Sequence, residues 1–182
     1  MLSSDLPAEW AARFAHARAQ VHGSGPLTLL WMDAQAIHLA MGHTAGAQAG
    51  ISLPLAPARL GRECLRHAPP RPGEIEQAID VIEDALARVH GHVPGATLVS
   101  DEPAIRRLLQ RLAPAQPPGV PGVAVEQVEA AFQHMASVAM GYPAGPDPLG
   151  ATAEEAALLI LVRELMHHLK FQAIEAVQPP QP

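Results

Sequence analysis

Apolar residues recur along this chain with two different periods. In residues 73–90, Ile75, Ile79, Ile82, Leu86 and Val89 stand at i, i+4, i+7, i+11 and i+14, the spacing of one face of an α-helix. Glu74 and Glu76 at its start, and Arg88, His90 and His92 at its end, suit the helix dipole. The same period puts Trp10, Phe14 and Val21 on one face of a helix over 5–21. It puts Val125, Val128, Phe132, Met135 and Ala139 along another over 124–140. Shorter helices are predicted for 58–67 and 102–112, the second capped by Ser100 or Asp101.

The longest apolar segment, residues 152–177, reads as a single final helix. Thr152 and Glu155 form a capping box at its start. On a helical wheel Leu158, Val162, Leu165 and Leu169 make the core stripe. Ile160 and Phe171 fall instead among Arg163, Glu164, His167, His168 and Lys170. A second apolar strip with a polar rim predicts a contact surface for another copy of the chain, built on Ile160, His167 and Phe171.

Short apolar runs predict strands at 27–32, at 51–55 with Pro54 marking an edge, and at 96–99. Residues 36–41 fit two structures. With period two, Ile37, Leu39 and Met41 face one side of a strand that follows a hairpin through Asp33. With a helical period, Asp33 is the N-cap and Gly42 the C-cap. The hairpin is preferred, because so short a helix is marginal. Residues 42–50, with Gly42, Gly46 and Gly50, read as a flexible loop. The proline-rich stretches 68–72 and 114–122 read as connectors, and 178–182 as a disordered tail.

The expected fold is therefore α+β and predominantly helical. A small antiparallel sheet from residues 27–55, with 96–99 as a further candidate strand, packs against the long C-terminal helix and the other amphipathic helices. A single domain is expected over 1–182, with an α+β portion (1–113) connected to a C-terminal helical pair (123–177).

Composition narrows the function classes. Hydrophobic residues make up 48% of the 182, enough for a sizeable core, while aromatics at 3% leave it to aliphatic side chains and alanine. A net charge of −6 argues against bulk binding to nucleic acid or to an anionic membrane. The single Cys64 rules out an internal disulfide or a multi-cysteine metal site. No signal-peptide pattern or membrane-length apolar run is visible, so a cytoplasmic location is expected. Lys170 is the sole lysine against eleven arginines, a bias that suits a GC-rich bacterial genome.

Candidate chemistry is sparse. Glu164, His167 and His168 offer the i,i+3 and i,i+4 spacings of a chelating helix, yet no second Glu-x-x-His accompanies them. A divalent metal there is the minority reading, and no cofactor is expected. Arg59, Arg62, Arg66, His67 and Arg71 cluster after the glycine loop. With His43 they could hold a small anionic ligand, or they could pair with Glu76, Asp80, Glu83 and Asp84. Cys64 and His67, at i,i+3, fit either a reactive thiol or a small core residue. Asp33 and Asp101 each follow a predicted strand.

With no complete catalytic constellation, the leading expectation is a non-catalytic accessory protein, homodimeric through its C-terminal helices. The alternative is a small enzyme or anion-binding domain. Its pocket would lie between the 42–50 loop, the arginine segment and the final helix.

Overall fold

The computed structural model describes residues 6–44, 46–89, 97–114, 122–146 and 149–180. The predicted histidines His90 and His92, and nearly all of the 114–122 connector, lie outside them. The chain order is α1 (Ala8–Arg18), β1 (Leu27–Met32), β2 (Ile37–His43), β3 (Gly46–Leu53), α2 (Pro57–Cys64) and α3 (Pro72–Leu86). There follow β4 (Thr97–Ser100), α4 (Pro103–Leu112), β5 (Val123–Ala124), α5 (Val125–Ala139), α6 (Ala153–His168) and β6 (Ala173–Ala176).

The strands form one mixed sheet in the order β3-β2-β1-β4-β6-β5. β1, β2 and β3 are an antiparallel meander, while β4 pairs parallel to β1 and β6 parallel to β4. This corrects the expectation of a small antiparallel sheet. The parallel half escapes sequence reading because its partners are remote: Leu98 pairs with Ile174.

Residues 36–41 are strand, as the hairpin reading has them. The expected loop over 42–50 is largely strand: Gly42 and His43 end β2, and residues 46–50 belong to β3. Gly50 lies where α1 crosses β3, and a Cβ there would come within 2.6 Å of the Trp10 ring. Glycine is needed for that close approach.

The final helix is also corrected. It stops at His168 because Lys170 takes a left-handed conformation (φ 62°). The Phe171 N–H then bonds back to the Met166 carbonyl at 3.0 Å. That is the long bond of a Schellman turn, and the Phe171 side chain is buried. The chain re-enters the sheet as β6. The usual signal for such a stop is glycine, and here the residue is lysine. The expected C-terminal helical pair is therefore β5, α5, α6 and β6.

Two cores flank the sheet. On one side lie α2, α3, α5 and α6, with the inner face of α4. On the other lies α1, burying Phe14 and Ala17 against Leu27, Leu29, Trp31, Ala40 and Val99. Helix α6 is the centre of the larger layer, touching α2, α3 and α5. Every residue from Ala156 to Val162 is buried, as expected of a helix enclosed on all sides. Ile160 and Phe171 are thus core residues at 0% and 1% exposure. They do not form an exposed second strip. Among the described residues no helix is long and apolar enough to cross a membrane.

Candidate functional site at the carboxyl ends of the parallel strands

From β1 the chain turns to β2 and β3 on one side, then crosses to β4 on the other. Loops leaving β1 and β4 therefore diverge, and open α/β sheets place ligands in that crevice, beyond the carboxyl ends of the strands. Here it is bounded by Met32, Asp33, Asp101 and Glu102.

The acids are tightly held. Asp33 folds back on its own turn. Its Oδ1 accepts from the Gln35 and Ala36 N–H groups at 2.7 and 2.9 Å, and Oδ2 lies 3.0 Å from His38 Nε2. The Gln35 N–H, then His38, hold its carboxyl down at about 2. Asp101 is buried and takes a bidentate pair from Arg13 of α1, at 2.7 and 2.9 Å. Glu102 accepts from the Met32 N–H at 3.1 Å and from Arg13 at 3.2 Å. Arg13 also lies 5.2 Å over the Trp31 ring. Neither Ser100 nor Asp101 caps α4. The Ser100 hydroxyl donates to the Leu30 carbonyl and accepts from the Glu102 N–H. These bonds stitch β1 to β4.

Beside the crevice lies a cavity of about 310 Å³. Met32 closes it at the end of β1, Arg107 and Arg111 project from α4, and Thr152, Glu154 and Glu155 come from the start of α6. Thr152 caps α6 by accepting from the Glu155 N–H at 3.1 Å. Arg111 Nη1 is 3.6 Å from Glu155. Arg107 is exposed and makes no hydrogen bond or ion pair among the described residues. Its neighbour Arg106 is committed to structure, donating to the Val177 carbonyl and to Gln178 at the end of β6. A cavity with two arginines at i,i+4 and a helix N-terminus can hold an anion. It also carries two carboxylates. The sequence marks Arg107 and Arg111 only as the polar face of a short helix, so their role depends on what α4 packs beside.

The arginines singled out earlier are elsewhere. Arg59, Arg62 and Arg66 are exposed on and after α2, and His43 is exposed at the β2–β3 turn. Arg59 pairs with Glu63 of its own helix at 2.8 Å. No hydrogen bond or ion pair joins His43 to any of them among the described residues. Cys64 is buried in the core, and burial pushes its thiol pKa up.

The segment after α2 is organised by Glu74. This carboxylate accepts from the Arg71 N–H at 3.0 Å and the Arg66 N–H at 3.2 Å, and lies 2.7 Å from His67 Nδ1. The Arg71 N–H is the main cause that brings its pKa from 4.5 to about 2. A depressed carboxylate pKa adds stability above the unfolded value and loses it as pH falls through the folded value. Glu74→Gln is therefore expected to lower the urea midpoint at neutral pH. The gap to wild type should close as pH falls from about 4.5 to about 2. An equal gap at both ends of that range would refute this.

Of the chelating trio, Glu164 and His168 come together, and the third member is Glu83 of α3 in place of His167. His167 is exposed, its ring edge-on to His168 at 5.2 Å.

No protein-family model and no curated protein matches the sequence. Solved structures do resemble the fold. A Ppx/GppA phosphatase from Aquifex aeolicus superposes with a TM-score of 0.74 at 15% identity, over 94% of this chain and 59% of that one. An exopolyphosphatase from Cytophaga hutchinsonii gives 0.67 at 10% identity, over 93% and 60%. An exopolyphosphatase-like protein gives 0.69 at 14% identity, over 95% and 63%. The chain thus has the fold of these proteins and spans about three fifths of their length. The expectation of a non-catalytic accessory protein is corrected here. The fold is shared with proteins described as phosphatases, and the apolar strip that supported that expectation is core.

Proposed function

We propose that this chain binds a polyphosphate or related phosphate compound in the cavity between α4 and the start of α6, and hydrolyses it. The observation that carries this reading is the position of the cavity. It opens at the carboxyl end of β1, in a fold shared with exopolyphosphatases, with Arg107 and Arg111 on its wall. Arg107 and Arg111 hold the terminal phosphate as two charged donors. Glu154 lines the same cavity and orients the attacking water. Water oxygen bonds to the terminal phosphorus as its proton passes to Glu154, the phosphoanhydride P–O bond breaks, and the shortened chain leaves with the electron pair.

The test is phosphate release from tripolyphosphate, alongside the shift in melting temperature that tripolyphosphate produces. Arg107→Ala and Arg111→Ala are each expected to lower release by about tenfold or more, since one charged hydrogen bond contributes ~1.5–3 kcal/mol. Glu154→Gln should lower release while keeping the thermal shift. A wild-type protein with neither release nor shift would overturn the reading.

A further inference from the structure

Helices α3 and α6 share a cluster that the cavity does not use. Glu164 of α6 is wholly buried. Its Oε1 accepts from Arg163 Nη1, but its Oε2 has no hydrogen-bond partner. A buried carboxylate oxygen without a donor is costly, so something should satisfy it. One turn on, His168 brings Nε2 to 3.3 Å from that oxygen. The same nitrogen is hydrogen-bonded at 3.1 Å to Glu83 Oε1 of α3. A single Nε2 proton shared between the two carboxylates serves each only weakly.

The spacing fits a metal ion instead. One ligand atom each from Glu83, Glu164 and His168 lie within 4.8 Å of one another. Two ligands bound at 2.0–2.1 Å in a tetrahedral site stand about 3.3 Å apart. Two of the three edges already have that length, 3.1 and 3.3 Å. Charge points the same way. Arg163 bonds both Glu129 and Glu164, while Glu83 pairs with His168. The Arg163 guanidinium is thus shared between two carboxylates, and Glu83 adds a third beside His168, so a divalent cation would offset negative charge there. Arg163 engages Glu164 through Oε1 and leaves Oε2 for the ion. Glu83 and His168 are 46% and 30% exposed, so an ion can reach the site from solvent.

We infer that Glu83, Glu164 and His168 bind a divalent transition metal, zinc by ligand type and spacing, and so clamp α3 to α6. One imidazole with two carboxylates suits zinc. The fourth position is left to water. The site is at the C-terminal end of α6, the opposite end from Thr152 and the phosphate cavity.

The experiment is titration of metal-free protein with Zn²⁺ by calorimetry, and with Co²⁺ by visible absorption. One equivalent should bind, with the intense ligand-field bands of tetrahedral cobalt and a rise in melting temperature. The chain has ten histidines, so variants must locate the site. Glu83→Gln and His168→Ala, both at partly exposed positions, should each weaken zinc binding by about tenfold or more. His167→Ala should leave it within about twofold. No binding at millimolar zinc, or wild-type affinity in His168→Ala and Glu83→Gln, overturns the assignment.

Discussion

Ile160→Asp is expected to unfold the protein. The side chain is fully buried in α6, the central helix of the larger layer. Truncating such a residue to alanine costs ~2–5 kcal/mol through lost transfer energy and the cavity left behind. Aspartate adds a buried charge with no partner, a further cost of several kcal/mol. The sum approaches the whole stability of an ordinary domain, ~5–15 kcal/mol. Circular dichroism should show loss of the cooperative melt. The exposed neighbour His167→Ala should stay within about 0.5 kcal/mol of wild type. A folded Ile160→Asp protein of smaller hydrodynamic size would instead place Ile160 at a contact between copies.

Arg13→Ala is the second large effect. Arg13 is the partner of Asp101, whose side chain is 1% exposed, and it also bonds Glu102. Removing one member of a buried pair leaves the other charge uncompensated, at ~3–5 kcal/mol. Arg13 is 29% exposed, which moves the expectation to about 3 kcal/mol, because water then screens part of the lost interaction. Asp101→Asn in the Arg13→Ala background should recover part of that loss. A double-mutant cycle of denaturant midpoints would measure the coupling. Additive effects would mean that the pair contributes nothing beyond its separate parts. The consequence reaches the cavity. Glu102 bonds both Arg13 and the Met32 N–H, and Met32 closes the cavity at the end of β1.

The legibility of this chain follows from how each element is packed. Helices α1, α3 and α5 are each buried on one side, and their apolar stripes read correctly: Phe14, Ile75, Ile82, Val128, Phe132 and Met135 are core. The β1–β2 hairpin was readable from the alternation of Ile37, Leu39 and Met41 behind Asp33. Helix α6 defeats a helical wheel because it is enclosed by three helices and the sheet. A wheel assumes one buried face, so it placed Ile160 outside. Its end was misread because Lys170 holds a turn that glycine usually holds, which hid β6 and with it the parallel half of the sheet. Strands of four residues whose partners are some 75 positions away, as Val99 and Glu175 are, carry no local signal.

The site was harder still. Arg59, Arg62 and Arg66 are dense in sequence, yet they lie exposed on and just after a short helix. Arg107 and Arg111 look like an ordinary solvated face until α4 is seen beside the start of α6. The proposed metal cluster joins Glu164 and His168, which stand at i,i+4 on one helix, to Glu83 of another, and spacing along one helix does not show such a partner.

The phosphate-site reading is tested most directly by titrating isotope-labelled protein with tripolyphosphate and following backbone amide resonances. Saturable shifts are predicted at Met32, at residues 104–111 and at residues 150–155, with small changes elsewhere. Shifts centred on Arg59, Arg62 and Arg66, or none at millimolar ligand, would contradict it.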